Sequence, residues 1–177
     1  MIDDEIDDEL DRRGEQLRTQ APVVLTDGGL ILDEPGALAW VEGRLHDPGA
    51  LVVVHLAHRR GPDDDPHELV ALSRWYPEDE VDVEVEFVVD GEAAGHGPQT
   101  RPGVDTTRPG RPVRLLHHGG ASSGGRSDDS WWLPRHPERE LVVRLRWVDG
   151  SRGDEVRLDT TAWPALAATR VRRLRAR

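Results

Sequence analysis

The chain has 177 residues, 36% hydrophobic and 32% charged, with six tryptophans, no cysteine and a formal net charge of −11. That length suits one domain of roughly 100–200 residues with a core of its own. The absence of cysteine excludes a disulfide framework and thiolate metal sites, and the acidic balance argues against nucleic acid as a partner, because phosphate binding needs a basic footprint.

Residues 2–19 place Ile2, Ile6, Leu10 and Leu17 on one helical stripe, with acids crowding the N-terminal half and arginines following, as the helix dipole prefers. We take residues 1–20 as an acidic N-terminal helix and residues 21–177 as a β-sandwich domain. Pro22–Leu25 and Leu30–Leu32 flank Asp27-Gly28-Gly29, which reads as a hairpin turn. Ala37–Leu45 follows as a strand closed by His46-Asp47-Pro48-Gly49, and Leu51–Ala57 is apolar on both faces, which places it centrally. Residues 65–76 fit a capped helix or a strand, and we favour the strand.

Val81–Val89 alternates valine and phenylalanine with Asp82, Glu84 and Glu86, the pattern of a half-buried strand ending at Asp90-Gly91. Residues 92–112 read as a long Gly/Pro loop, Pro112–Leu116 as a short strand, and 119–125 as a Gly-rich loop. Glu140–Val148 buries Leu141, Val143, Leu145 and Trp147, with Arg144 and Arg146 opposite, and Glu155–Leu158 is the last strand. Thr160 or Thr161 caps a short C-terminal helix, with Pro164 in its first turn and Leu166, Val171 and Leu174 inward. Short strands at this turn spacing predict an immunoglobulin-like antiparallel β-sandwich with short N- and C-terminal helices.

All 23 basic residues are arginine, and lysine and asparagine are both absent. Residue types with AT-rich codons thin out together, the mark of a high-GC genome. Residues 1–20 carry eight acids against three arginines and residues 62–92 twelve against one, whereas residues 101–126 carry five arginines against one acid. This asymmetry either docks a partner or is a solvated surface. The start Met1-Ile2-Asp3-Asp4-Glu5 is the opposite of a basic signal-peptide region, and no apolar run reaches the ~18 residues of a membrane span, so the expectation is cytoplasmic, with no membrane partner.

From 117 to 170 the order is a Gly-rich loop (Gly119-Gly120 to Gly124-Gly125), a polar Arg126–Ser130, Trp131-Trp132-Leu133-Pro134, Pro137, the strand Leu141–Trp147 and Val156-Arg157-Leu158-Asp159 before an Ala-rich helix. This resembles a group of uncharacterised actinobacterial proteins with a Gly-rich loop, a Trp-Leu-Pro segment and a V-x-L-D end; Glu86–Gly91 is similar to a strand end upstream in the same group. The resemblance covers the C-terminal half. It implies the sandwich fold and no activity, cofactor or site residue.

Several motifs bear on chemistry. Gly120-Ala121-Ser122-Ser123-Gly124 fits G-x-S-x-G, but the sequence after Ser122 does not start the helix that a nucleophile elbow needs. His117, His118, Asp128 and Asp129 flank the Gly-rich loop and are the candidate metal ligands, although His117 and His118, as neighbours on a strand, face opposite ways. Asp63–Glu68 is a second, weaker cation candidate, and His55 reads as a satisfied core histidine. Trp131-Trp132 is the candidate recognition feature: on a strand one indole faces the core and the other faces out, beside Gly119, Gly120, Gly124 and Gly125.

The acidic face of Val81–Val89 and the arginine face of Glu140–Val148 either ladder against each other or stay solvated. The function expected is a non-catalytic protein-interaction or scaffolding module with another protein as partner and no cofactor. The alternative is a metal-dependent enzyme or metal-binding protein using the His/Asp residues around the loop.

Overall fold

The computed structural model describes residues 2–25, 28–58, 83–97, 114–123, 125–150 and 153–174. In chain order the elements are α1 (Ile2–Thr19), β1 (Gln20–Ala21), β2 (Val23–Val24), β3 (Leu30–Glu34), β4 (Ala37–Leu45), β5 (Ala50–His58), β6 (Val83–Val89), β7 (Glu92–Gly97), β8 (Arg114–Ser123), β9 (Arg126–Leu133), β10 (Glu140–Trp147), β11 (Gly153–Asp159), α2 (Trp163–Arg170) and β12 (Arg172–Arg173). The chain is mainly β, a sandwich of antiparallel strands with a helix near each end.

One layer runs β11-β10-β6-β7 and the other β8-β9-β5-β4, with β2 and β3 both laid along the outer edge of β4. All described pairings are antiparallel except β7 with β8, a parallel rung that joins the layers into one path. The inward residues of β4, β5, β6, β9 and β10 form one buried cluster. Phe87 and Trp131 meet across it with ring centroids 5.0 Å apart. Each buried Val or Leu contributes about 1.5–3 kcal/mol, so this cluster is what holds the layers together. β5 is central, apolar on both faces and paired to β4 and β9.

The structure corrects several expectations. The hairpin expected of β2 and β3 does not form: the two do not pair with each other but both lie along the same edge of β4, and Asp27 lies outside the described residues. The glycines are there for closeness: a Cβ at Gly28 would sit 2.2 Å from the Val41 carbonyl oxygen, and one at Gly29 2.1 Å from Val156 Cγ2, where β3 approaches β11. The real reversal is Pro35-Gly36, between β3 and β4.

Residues 92–97 are a strand, not loop. The Gly-rich stretch 119–123 is not a loop either: β8 runs through it and pairs with β9 as far as Ser123–Arg126. At the C-terminal helix Leu166 and Val171 pack against the core as expected, beside the buried Trp163 and Ala167, whereas Leu174, beyond the helix, is exposed. The helix N-cap is Ala162, with no side-chain cap, because Thr160 Oγ1 donates to the Pro137 carbonyl and Thr161 Oγ1 to Asp159. Residues 65–76 and the Asp63–Glu68 cation candidate lie outside the described residues.

Candidate functional site

Register decides which side chains meet. In β9 the neighbours Asp128 and Asp129 must face opposite sides of the sheet, and each is met by a histidine from an adjacent strand. His55 of β5 lies directly across from Asp128, and that row continues through Trp40 of β4 to Leu30 of β3, all on the outer face. His55 Nδ1 lies 2.5 Å from Asp128 Oδ1, which also accepts from Arg126 Nε at 3.0 Å. Arg126 Nη2 is 3.1 Å from the same Nδ1. One nitrogen cannot donate and accept at once, and the shorter carboxylate contact assigns Nδ1–H as the donor to Asp128.

The imidazole stacks on Trp40 with centroids 4.7 Å apart and planes 16° from parallel, and the Arg126 guanidinium sits 5.2 Å from the indole centroid. Glu42 Oε2 lies 3.9 Å from His55 Nε2, and Arg44 Nε donates to the other oxygen of Glu42 at 2.5 Å. Burial pushes the Asp128 carboxyl up, but the hydrogen bonds and charge of His55 and Arg126 outweigh it and hold the group below its ordinary range. His55 itself is buried, while Arg126, Arg44, Leu38 and Leu30 are exposed in part or wholly around it.

On the inner face His117 Nε2 pairs with Asp129 Oδ1, which also accepts the Ser130 amide at 2.9 Å. His117, Asp129 and Ser127 are buried, and His117 meets Trp131 edge-on. The four candidate metal ligands therefore do not converge: His117 and Asp129 share the interior, Asp128 serves the opposite face with His55, and His118 is exposed. Among the described residues no group of three or more His, Asp or Glu is placed to hold a metal ion.

The two tryptophans alternate as expected, but neither indole is open: Trp131 is 1% exposed and Trp132 0%. Trp132 faces out from the sheet into a second, smaller apolar cluster with Leu51 and Val53, against which Leu17 of α1 and Leu116 of β8 pack. Gly119 and Gly120 lie in the β8 ladder, and Gly125 forms the turn into β9. That ladder also rules out the strand–turn–helix setting that a Ser122 nucleophile would need.

Sequence reasoning missed Trp40, Glu42, Arg44 and Arg126. No local motif marks them; only the β4–β5–β9 register assembles them.

Elsewhere Arg139, Glu140, Arg157, Leu158 and Asp159 line a surface recess of 460 Å³. Its arginines are committed, with Arg139 donating to the Asp90 carbonyl and Arg157 paired with Glu155 and Glu140. Among the described residues no helix is long and apolar enough to cross a membrane. Comparison with protein-family models, curated proteins and solved structures returned no match.

Proposed function

We propose that the chain is a non-catalytic protein-interaction module and that its contact face is the outer row Leu30–Trp40–His55–Asp128 with Arg126, Glu42 and Arg44. The observation that carries this reading is the Arg126–Trp40–His55 assembly, in which an aromatic and an arginine are held rigidly by cross-strand partners. Aromatic and arginine side chains are enriched at interfaces and dominate binding hot spots. Leu30, 53% exposed, and Leu38, 39% exposed, give the rim apolar area.

Both His–Asp pairs read as cross-ties between strands. His55 turns its Nδ1–H to Asp128 and keeps Nε2 buried, so the ring is not presented as a base to an incoming substrate. The immunoglobulin-like description belongs to the same reading. It is supported by the two antiparallel layers with Trp131 between them, and the parallel β7–β8 rung departs from it.

The test is affinity capture with tagged wild-type protein beside the Trp40→Ala and Arg126→Glu variants. A stoichiometric protein retained by the wild type and lost from both variants is expected. A partner captured equally by all three moves the contact face elsewhere. Metal co-purifying at one equivalent, with melting lowered by chelator, would replace the reading by the metal-binding alternative.

A further inference from the structure

The Trp132 cluster is separate from the main core and lies on the outer face of three adjacent strands: Leu51 and Val53 from β5, Trp132 from β9 and Leu116 from β8. Its described cover from α1 is Leu17, in the helix's last turn, where the neighbouring Gln16 is buried as well.

That turn is held from outside the helix. The Leu174 amide donates to the Thr19 carbonyl at 2.7 Å, and β12 pairs with β1 immediately after α1. The Gln20 amide grips the Asp47 backbone from both sides, Nε2 donating to its carbonyl at 3.0 Å and Oε1 accepting its amide at 2.9 Å. Arg173 Nη2 closes the clasp onto Asp47 Oδ2 at 2.6 Å.

The fit beneath the helix is imperfect. Gln16 is 8% exposed, yet its Oε1 is buried with no hydrogen-bond partner. An unsatisfied buried acceptor penalises the docked helix, and an apolar side chain there would remove the penalty and bury apolar area in its place.

We propose that the Leu51–Val53–Leu116–Trp132 face is a helix-docking site. α1 is its latched cis occupant, and its ligand is an amphipathic helix of a partner protein with apolar side chains at both the Gln16 and Leu17 positions. A second copy's α1 would bring the same buried glutamine and gain nothing over the first. The C-terminal strand is the latch, so α1 leaves the face only when the β1–β12 clasp opens. This deepens the interaction reading at a second surface, and a partner bound through Trp40 is unaffected by its failure.

The test uses the full chain and the variant Gln20→Ala/Arg173→Ala. Trypsin cleavage after Arg18 reports an open helix, and fluorescence anisotropy reports binding of labelled peptides of residues 2–19, native or carrying Gln16→Leu. Cleavage about tenfold faster in the variant is expected, with the Gln16→Leu peptide binding it about fivefold more tightly than the native peptide and the full chain binding both more weakly. Unchanged cleavage overturns the latch. An open helix without peptide binding, or equal binding of the two peptides, overturns the docking site. If the double variant loses its thermal transition, Arg173→Ala alone carries the same readouts.

Discussion

Asp128 and Asp129 are adjacent in the chain and serve opposite sides of the protein, one tying β9 to β5 and the other tying it to β8. The inner tie depends on a residue with no side chain. A Cβ at Gly120 would lie 2.8 Å from the Asp128 carbonyl oxygen and 2.9 Å from Asp129 Oδ1. Gly120→Ala therefore pushes the carboxylate off His117 and should destabilise the protein by about 1–3 kcal/mol in urea unfolding. Gly14→Ala is the control: its Cβ meets only the Arg18 Nη1 atom, at 3.7 Å, and alanine favours the helix by up to about 1 kcal/mol. Equal loss from both would contradict the geometry. The burial of His55 was legible in the sequence, because a central apolar strand carried it. Its partner was not, because cross-strand contacts depend on a register that no local spacing encodes.

At the scale of elements, the strands with clean alternation were legible to within a residue or two. The β6–β10 ladder was open as one of two outcomes, and the register settles it: Arg144 lies opposite Glu86 and Arg146 opposite Glu84, with Arg146 Nη2 3.4 Å from Glu86 Oε1. Arg144 turns the other way, to Glu155 of β11.

These ties are exposed, so the Glu86–Arg146 pair is worth about 0.2–1 kcal/mol. Arg146→Glu should lower the urea midpoint by that order, and Glu86→Arg combined with it should restore part of the loss. Both effects should shrink in about 0.5 M salt. An unchanged midpoint would make the ladder a solvated face. The glycine-rich elements were misread for a common reason. Gly-Gly is the signature of a turn, yet Gly28 and Gly29 lie just before β3, pressed against Val41 and Val156, and Gly119-Gly120 lies within the β8–β9 ladder.

At the scale of the whole molecule, the two ends of the described chain meet at the β4–β5 turn. Gln20 and Arg173 hold Asp47 there, and His136 Nε2 donates to the carbonyls of His46 and Gly49, both at 2.8 Å. At the centre of this junction His46 is 2% exposed, packs edge-on against Trp132 at 5.5 Å, and has its Nδ1 buried without a partner. Burial, with the positive charge of Arg44 and the neighbouring His118 and His136, pulls its pKa down from 6.5 to about 4. His136 is also lowered, by burial that outweighs its two carbonyl bonds and Asp47.

Below pH 6.5 the unfolded chain takes up a proton at position 46 that the folded chain refuses until about pH 4. Stability is therefore complete above the upper value and falls through the window between the two. That shift corresponds to about 3 kcal/mol, with His136 adding to it in the same direction. Asp128, Asp90 and Asp159 are held low instead, so their contribution persists through most of this window and is lost only as pH falls through the carboxylate range.

Urea unfolding at successive pH values should thus show a decline beginning near pH 6.5, well above carboxylate titration. His46→Gln, which cannot take up the proton, should be flatter between pH 6.5 and 4.5 even if less stable at neutral pH. A wild-type profile that stays level down to about pH 4.5 would mean that His46 takes up its proton in place, and that the junction joining both ends of the described chain tolerates a charge at its centre.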